Sequence, residues 1–242
     1  MADPVAAYHE ARHRIAELVT GAPDPVVPAC PKWRVRDLVA HLTGLAGDWV
    51  SGNLGGYAGG AWTGAQVEAR RDMSLADLLE EWEGHAGGVA AVMRDPAGSG
   101  LPDPLLTEFG PVPAVAWPAM IVTDVAQHEQ DLRAALERPG ARTSEGIVIG
   151  LSSQIGVLRF VATAMGLPVL SIEPTDLDRT WPVGRGDPEV ILRAGAFELF
   201  RATGGRRSQG QIDALDWSGA AEAWRHNLVH GAYQVPSEGL VE

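Results

Sequence analysis

The chain has 242 residues, enough for one large domain or two modest ones around a sizeable hydrophobic core. Its 31 acidic residues outnumber the 19 basic ones to give a formal charge of -12, which makes the electrostatic term behind most nucleic-acid affinity repulsive and disfavours an anionic membrane surface. A single cysteine, Cys30, excludes an internal disulfide and a cysteine-rich zinc site, so metal chemistry falls to His, Asp and Glu.

Met1 is followed by Ala-Asp-Pro and not by a basic and then apolar leader, and the apolar run over 112–122 is short and broken by Pro113 and Pro118. A cytoplasmic protein with no membrane or nucleic-acid partner is expected. The first element is an amphipathic helix over Pro4–Val19, ended by Gly21 and Pro23, followed by the turn-rich GAPDPVVPACPKW. Val35, Leu38, Val39, Leu42, Leu45, Ala46 and Trp49 then set a second helix over 35–50, with His41 on the flank of its apolar face. The glycine-rich SGNLGGYAGGAWTG reads as a loop. Ser74 opens a third helix through a Ser-x-x-Asp cap, with Leu75, Leu78, Leu79, Trp82, Val89 and Met93 as its stripe. Residues 95–113 read as loop, 114–136 as a fourth helix and Glu145–Met165 as a fifth. After Gly166-Leu167-Pro168 come three short strands, in PVLSIEP, RTWPVG and EVILRAG, then helices over 194–202 and 220–233. Helices first and strands second predict an all-α bundle of four to five helices over 1–165 and a smaller α+β domain over 166–242.

The fourth helix carries the first chemical signal. In DVAQHEQDLRAAL, Asp124, His128 and Asp131 share the stripe of Trp117, Ile121, Val125 and Leu132, whereas Gln127, Glu129 and Gln130 fall on faces expected to be solvated. Acids and a histidine in an apolar stripe need partners. Asp124 and His128, one turn apart, can aim at one cation, with His41 as third ligand from the second helix. Two histidines and a carboxylate suit a divalent first-row metal with positions left open. The alternative is a core His128 bonded to Asp131, with His41 serving the surface. His9 with His13, Glu81 with His85 and His226 with His230 share the same spacing, and Glu129 and Asp131 are alternative carboxylates, Asp131 as a group orienting His128. His85 lies on an apolar face where it could line a pocket. Arg206 and Arg207, in GGRRSQG, offer forks for a substrate carboxylate.

The segments WRVRDLVAHLTGLAGDW, SLADLLEEW and TDVAQHEQDLRAAL together resemble the actinobacterial branch of the DinB-like superfamily, the maleylpyruvate isomerase family of mycothiol-dependent enzymes. The ELFRATGGRRSQGQIDALDW segment is similar to the carboxy-terminal domain many members carry. The resemblance implies a divalent metal, zinc first and nickel, iron or another first-row ion next, on His41, Asp124 and His128. It departs at Asp124, where the isomerase is expected to have glutamate, and at Arg34, where a Ser or Thr helix cap is usual. It further implies mycothiol as cosubstrate and a small electrophile to be isomerised or conjugated by a monomer or homodimer. Arg206, Arg207 and His85 would serve catalysis, and Asn53, Tyr57 and Trp62 would supply polar groups to the thiol. A non-catalytic metal- or ligand-binding module, or a metal-dependent hydrolase, stands as the alternative.

Overall fold

The computed structural model describes residues 3–108, 110–231 and 233–242, and their contacts divide into two units, Met1–Gly140 and Ala141–Val241. The first is built on four long helices: α1 (Pro4–Val19), α2 (Val35–Ser51), α4 (Leu75–Arg94) and α5 (Trp117–Ala135), with a short α3 (Gly60–Glu68) laid on α2. Two hairpins decorate the bundle: β1 (Val26–Val27) with β2 (Cys30–Arg34), and β3 (Leu105–Thr107) with β4 (Gly110–Val112). Sequence periodicity passed over both hairpins because three of their strands have only two or three residues and the five-residue β2 shows no alternation of buried and exposed positions. It also passed over α3, which begins inside the glycine-rich stretch.

α2 packs chiefly on α4, and α1 on α5. Trp82 Nε1 donates to Tyr8 Oη at 3.0 Å and ties α1 to α4. Burial raises the Tyr8 pKa to about 12 despite that bond, so the phenol stays neutral in the core. An aromatic run, Trp117, Trp49, Tyr57 and Trp62, packs in tilted and edge-on contacts with centroid distances of 5.6, 5.6 and 4.7 Å and fixes the start of α3 against α2 and α5.

Arg34 at the N-cap of α2 cannot accept a hydrogen bond, and the expected loss of a cap is repaired from two sides. Asp37 Oδ2 accepts from the Arg34 amide at 3.0 Å, and Asp24 Oδ1, ten residues upstream of Arg34 (34 − 24), accepts from the Arg36 amide at 2.8 Å. The Ser74 cap of α4 forms as its sequence predicts, with Ser74 and Asp77 exchanging bonds.

α5 departs from expectation in its wet face. Gln127, Glu129 and Gln130 are as buried as the apolar stripe, and every residue over 121–132 except Asp124 is buried. Glu129 is affordable there because Arg14 grips both its oxygens, at 2.9 and 2.8 Å, while Arg133 reaches Oε1 at 2.9 Å. The hydrogen bond to Glu129 in turn raises the Arg14 pKa.

In the second unit, β5 (Leu170–Pro174), β6 (Trp181–Val183), β7 (Val190–Ala194) and β8 (Asp216–Gly219) form a sheet in the order β6-β5-β7-β8, with β5 and β7 parallel and the outer pairs antiparallel. Three strands lie where predicted; β8 was not. α6 (Glu145–Met165) packs on α7 (Ala196–Thr203) and β6, so it groups with the sheet and the units part after Gly140, upstream of the boundary expected after Met165. Gly150 permits this packing, since a Cβ there would stand 2.4 Å from the Phe200 ring. α6 is long and apolar enough to cross a membrane, with mean hydropathy 1.6, but core helices pass the same test, and Ile147, Leu151, Ile155 and Leu158 form a buried face. After α8 (Gln209–Asp213), the helix expected over 220–233, of which residue 232 lies outside the described residues, is reduced to one turn, α9 (Glu222–Arg225).

Two substitutions weigh these contacts. Glu129→Gln leaves two arginines facing a neutral amide and is expected to lower the unfolding free energy by about 3 kcal/mol in denaturant titration. Asp24→Ala, which removes a cap, is expected to cost about 1 kcal/mol. Equal small losses would show that the Glu129 triad is not a structural keystone of α5.

Candidate metal centre

The periodicity of α2 turns His41 inward, and the facing stretch of α5 presents Asp124 and His128 one turn apart. One ligand atom from each of the three lies within 4.8 Å of the others. His41 Nε2 stands 3.4 Å from Asp124 Oδ2, and His128 Nε2 stands 3.7 Å from Asp124 Oδ1. The rings meet edge to face at 88° with centroids 5.2 Å apart. Both histidines are buried, and the Asp124 side chain keeps 29% of its exposure, so the carboxylate marks where the centre meets solvent.

The hydrogen bonds behind the rings decide what the front can do. Gln66 on α3 sits between His41 and Asp48: its Nε2 lies 2.6 Å from Asp48 Oδ2 and its Oε1 2.7 Å from His41 Nδ1. A carboxylate only accepts, so the amide NH2 must face Asp48 and the amide oxygen must face His41. His41 Nδ1 therefore carries the ring proton, and Nε2 presents a lone pair. His128 repeats the device, with Nδ1 2.9 Å from Asp131 Oδ2. With each ring proton on Nδ1, the two Nε2 atoms and the Asp124 carboxylate face one another. A cation relieves that convergence. Tetrahedral zinc with ligands at about 2.0–2.1 Å separates neighbouring donors by about 3.3 Å, close to the spacings found. The residues present fit a divalent ion.

Gly44, one turn after His41, makes the relay geometrically possible. A Cβ there would stand 2.6 Å from Gln66 Cβ, so only glycine lets α3 approach closely enough to hand Gln66 to the ring. Trp33 lies against the His41 ring with a centroid separation of 5.2 Å. Gln66 and Asp48 escaped sequence reasoning, although a glycine at i+3 from an inward histidine was a readable sign of close approach.

The other sequence candidates have partners of their own. Tyr57 and Trp62 are buried in the aromatic run, and Asn53 donates from Nδ2 to Asp48 Oδ1 at 2.9 Å while its carbonyl accepts from Trp62 Nε1 at 2.9 Å. Asn53 thereby braces the Asp48–Gln66–His41 relay, with Trp62 and Tyr57 packed behind it. His85 belongs to another group, with Nε2 3.4 Å from Glu81 Oε1, and joins neither ligand cluster found among the described residues. Burial pushes Glu81 up, but its hydrogen bonds and charge pairing with Arg70, and with His85, outweigh that and hold it below the usual carboxylate range. Arg206 and Arg207 are buried in the second unit. Arg207 places Nε and Nη2 2.5 and 2.8 Å from Glu198, so its fork is already taken up by a carboxylate. Arg206 donates to Gly204 O and lies over the Tyr233 ring. His226 pairs with Glu222 and His230 with the carbonyl of Asn227, not with each other.

The first unit is thus a helical bundle that brings two histidines and a carboxylate, from α2 and α5, to one point. Residues 6–133 match the family described as Mycothiol maleylpyruvate isomerase N-terminal domain, and the chain belongs to that family. All three candidate ligands lie inside the matched span. Among solved structures, the chain is similar to a crystal structure of the mycothiol-dependent maleylpyruvate isomerase, with TM-score 0.60 and 16% identity over 89% of this chain and 91% of that one. It is equally similar to a histidine-to-alanine mutant of that isomerase, with TM-score 0.58, 15% identity and the same coverage. At this identity the likeness is one of fold. No curated protein matches the chain.

Element analysis is expected to find about one divalent ion per chain, lost in both His41→Ala and His128→Ala. Asp131→Asn and Gln66→Leu keep every ligand but loosen a ring, so each is expected to weaken affinity about tenfold, less than Asp124→Asn does. An Asp131→Asn loss larger than that of Asp124→Asn would make Asp131 the ligand and displace the centre described.

Proposed function

We propose that this chain is a metal-dependent enzyme that uses a low-molecular-weight thiol, mycothiol by family, to isomerise a small electrophile carrying an activated double bond. The observation that carries the reading is the convergence of two Nε2 lone pairs and the half-open Asp124 carboxylate at the one unburied position of a buried helix stretch. Family membership supplies the thiol and the reaction class. His41, Asp124 and His128 would hold the ion, with zinc favoured by the donor set.

When bound, such an ion keeps net positive charge beside two neutral imidazoles and one carboxylate, and so stabilises a thiolate at neutral pH. The protein's own residues prepare that state. Gln66 and Asp131 keep both ring protons on Nδ1, away from the centre, and hold the rings in place before substrate arrives. Asp124 leaves the solvent side open for thiol and substrate. The thiolate adds to the electron-poor double bond, the resulting single bond rotates, and expulsion of the thiolate restores the double bond in the other geometry. No net oxidation occurs and the thiol is regenerated. In a conjugating enzyme the adduct would instead accept a proton and leave. The carboxylate clamp expected of Arg206 and Arg207 is not part of this reading, because Glu198 already occupies the Arg207 fork.

With a cis activated alkene as substrate, turnover is expected to require added thiol and to yield the trans isomer without loss of thiol. Full turnover in thiol-free buffer would make water the nucleophile and the protein a hydrolase. Metal binding without turnover on any electrophile, with or without thiol, would favour a binding module.

A further inference from the structure

The chemistry above uses the Nε2 side of His128 and leaves the Nδ1 side to Asp131. On that side stands a second set of ligand-type atoms. The β1–β2 hairpin pairs Val27 with Cys30 and brings the only thiol of the chain to α5, with Cys30 Sγ 4.0 Å from Asp131 Oδ2. One atom each of Cys30, His128 and Asp131 lies within 4.8 Å of the others. Asp131 is fully buried and Cys30 is half-buried, so the set joins a dry carboxylate to a reachable sulfur. A tetrahedral ion with sulfur at about 2.3 Å and oxygen at about 2.1 Å holds those two ligands about 3.6 Å apart, so a small movement of the hairpin completes the fit.

We propose that Cys30, Asp131 and Nδ1 of His128 form a second cation site, selective for a thiophilic divalent ion such as cadmium or surplus zinc, whose occupation empties the first. Sulfur gives it the softer donor set of the two. The link between them is the tautomer of one ring. A neutral imidazole has one nitrogen lone pair and one N–H. Because the Asp131 carboxylate accepts, its bond to Nδ1 puts the ring proton there and leaves the lone pair on Nε2, toward Asp124. An ion bound at Nδ1 takes the lone pair there, and the ring proton moves to Nε2. The Cys30 thiol releases its proton to solvent as the sulfur–metal bond forms. His128 then faces Asp124 with N–H, and the first site has lost one of three ligands. By linkage, an ion at the first site weakens the second by the same factor. The second site stands on its own geometry, while the antagonism rests on the first site holding an ion.

The test is a cadmium titration of the full chain, once stripped of metal and once loaded with nickel, followed by the ultraviolet sulfur-to-cadmium absorption that Cys30 alone can give. In the stripped chain, Asp131→Asn is expected to raise the cadmium midpoint about tenfold. An unmoved midpoint would mean cadmium on an isolated thiol and would overturn the site. In the loaded chain, nickel is expected to leave as the absorption grows, and Cys30→Ser to need about tenfold more cadmium for the same release. Nickel retained while the absorption saturates overturns the antagonism, and so does release at equal cadmium in both proteins, which is direct competition at the first site. If Asp131→Asn does not fold, as circular dichroism would show, the Cys30→Ser comparison decides. A chain that takes up no nickel contradicts the first site, and the stripped titration still judges the second.

Discussion

Two imidazoles can offer lone pairs to one point only if the proton of each is held on its far side. The hydrogen bonds from His41 Nδ1 to Gln66 and from His128 Nδ1 to Asp131 meet that condition, and much of the first unit exists to deliver them. Gln66 reaches His41 because Gly44 lets α3 lie on α2, and its amide points the right way because Asp48 accepts from the other end. Asn53 and the stacked Tyr57 and Trp62 hold that end of the relay. Arg36 fastens the far end of α3 by donating to the carbonyls of Arg70, Arg71 and Met73.

The α5 side is secured differently. Burial of nearly every residue over 121–132 immobilises His128 and Asp131, and it is tolerable because Arg14 and Arg133 neutralise Glu129 within the same stretch. Asp124 is the exception to that burial. On the proposed reading, a dry helix with a part-exposed carboxylate would give a cation a low-dielectric back and an accessible front, as a catalytic site needs. The two ends of His128 also make its ring a point where two ligand sets compete, which ties the Cys30 side to the Asp124 side.

The bundle was largely legible, because the 3.6-residue stripes of α1, α2, α4 and α5 are long and apolar. The i, i+4 spacing of Asp124 and His128, joined to an inward His41, pointed to the three residues the fold brings together. What stayed hidden had physical reasons. Periodicity separates faces but cannot see that a helix is covered on all of them, so Gln127, Glu129 and Gln130 were misplaced. Glycines in GNLGGYAGG masked the start of α3, and with it the Gln66 that orients His41. The α6 helix reads as a bundle member by pattern, and only its contacts with α7 and β6 assign it to the second unit. Arg206 and Arg207 look like an anion clamp in sequence, whereas Glu198 lies eight residues upstream of Arg206 (206 − 198) with nothing to announce that it fills the fork.

On the proposed reading, a divalent ion binds through Nε2 of both histidines and through Asp124 while both Nδ1 hydrogen bonds, to Gln66 and Asp131, persist. The most direct measurement is a crystal structure of the full chain with one equivalent of zinc, located by anomalous scattering. A single strong peak is expected about 2.0–2.2 Å from His41 Nε2, His128 Nε2 and an Asp124 oxygen, with the Gln66 and Asp131 hydrogen bonds intact. A peak bonded to Cys30 at that first equivalent, or one remote from His41, would contradict it.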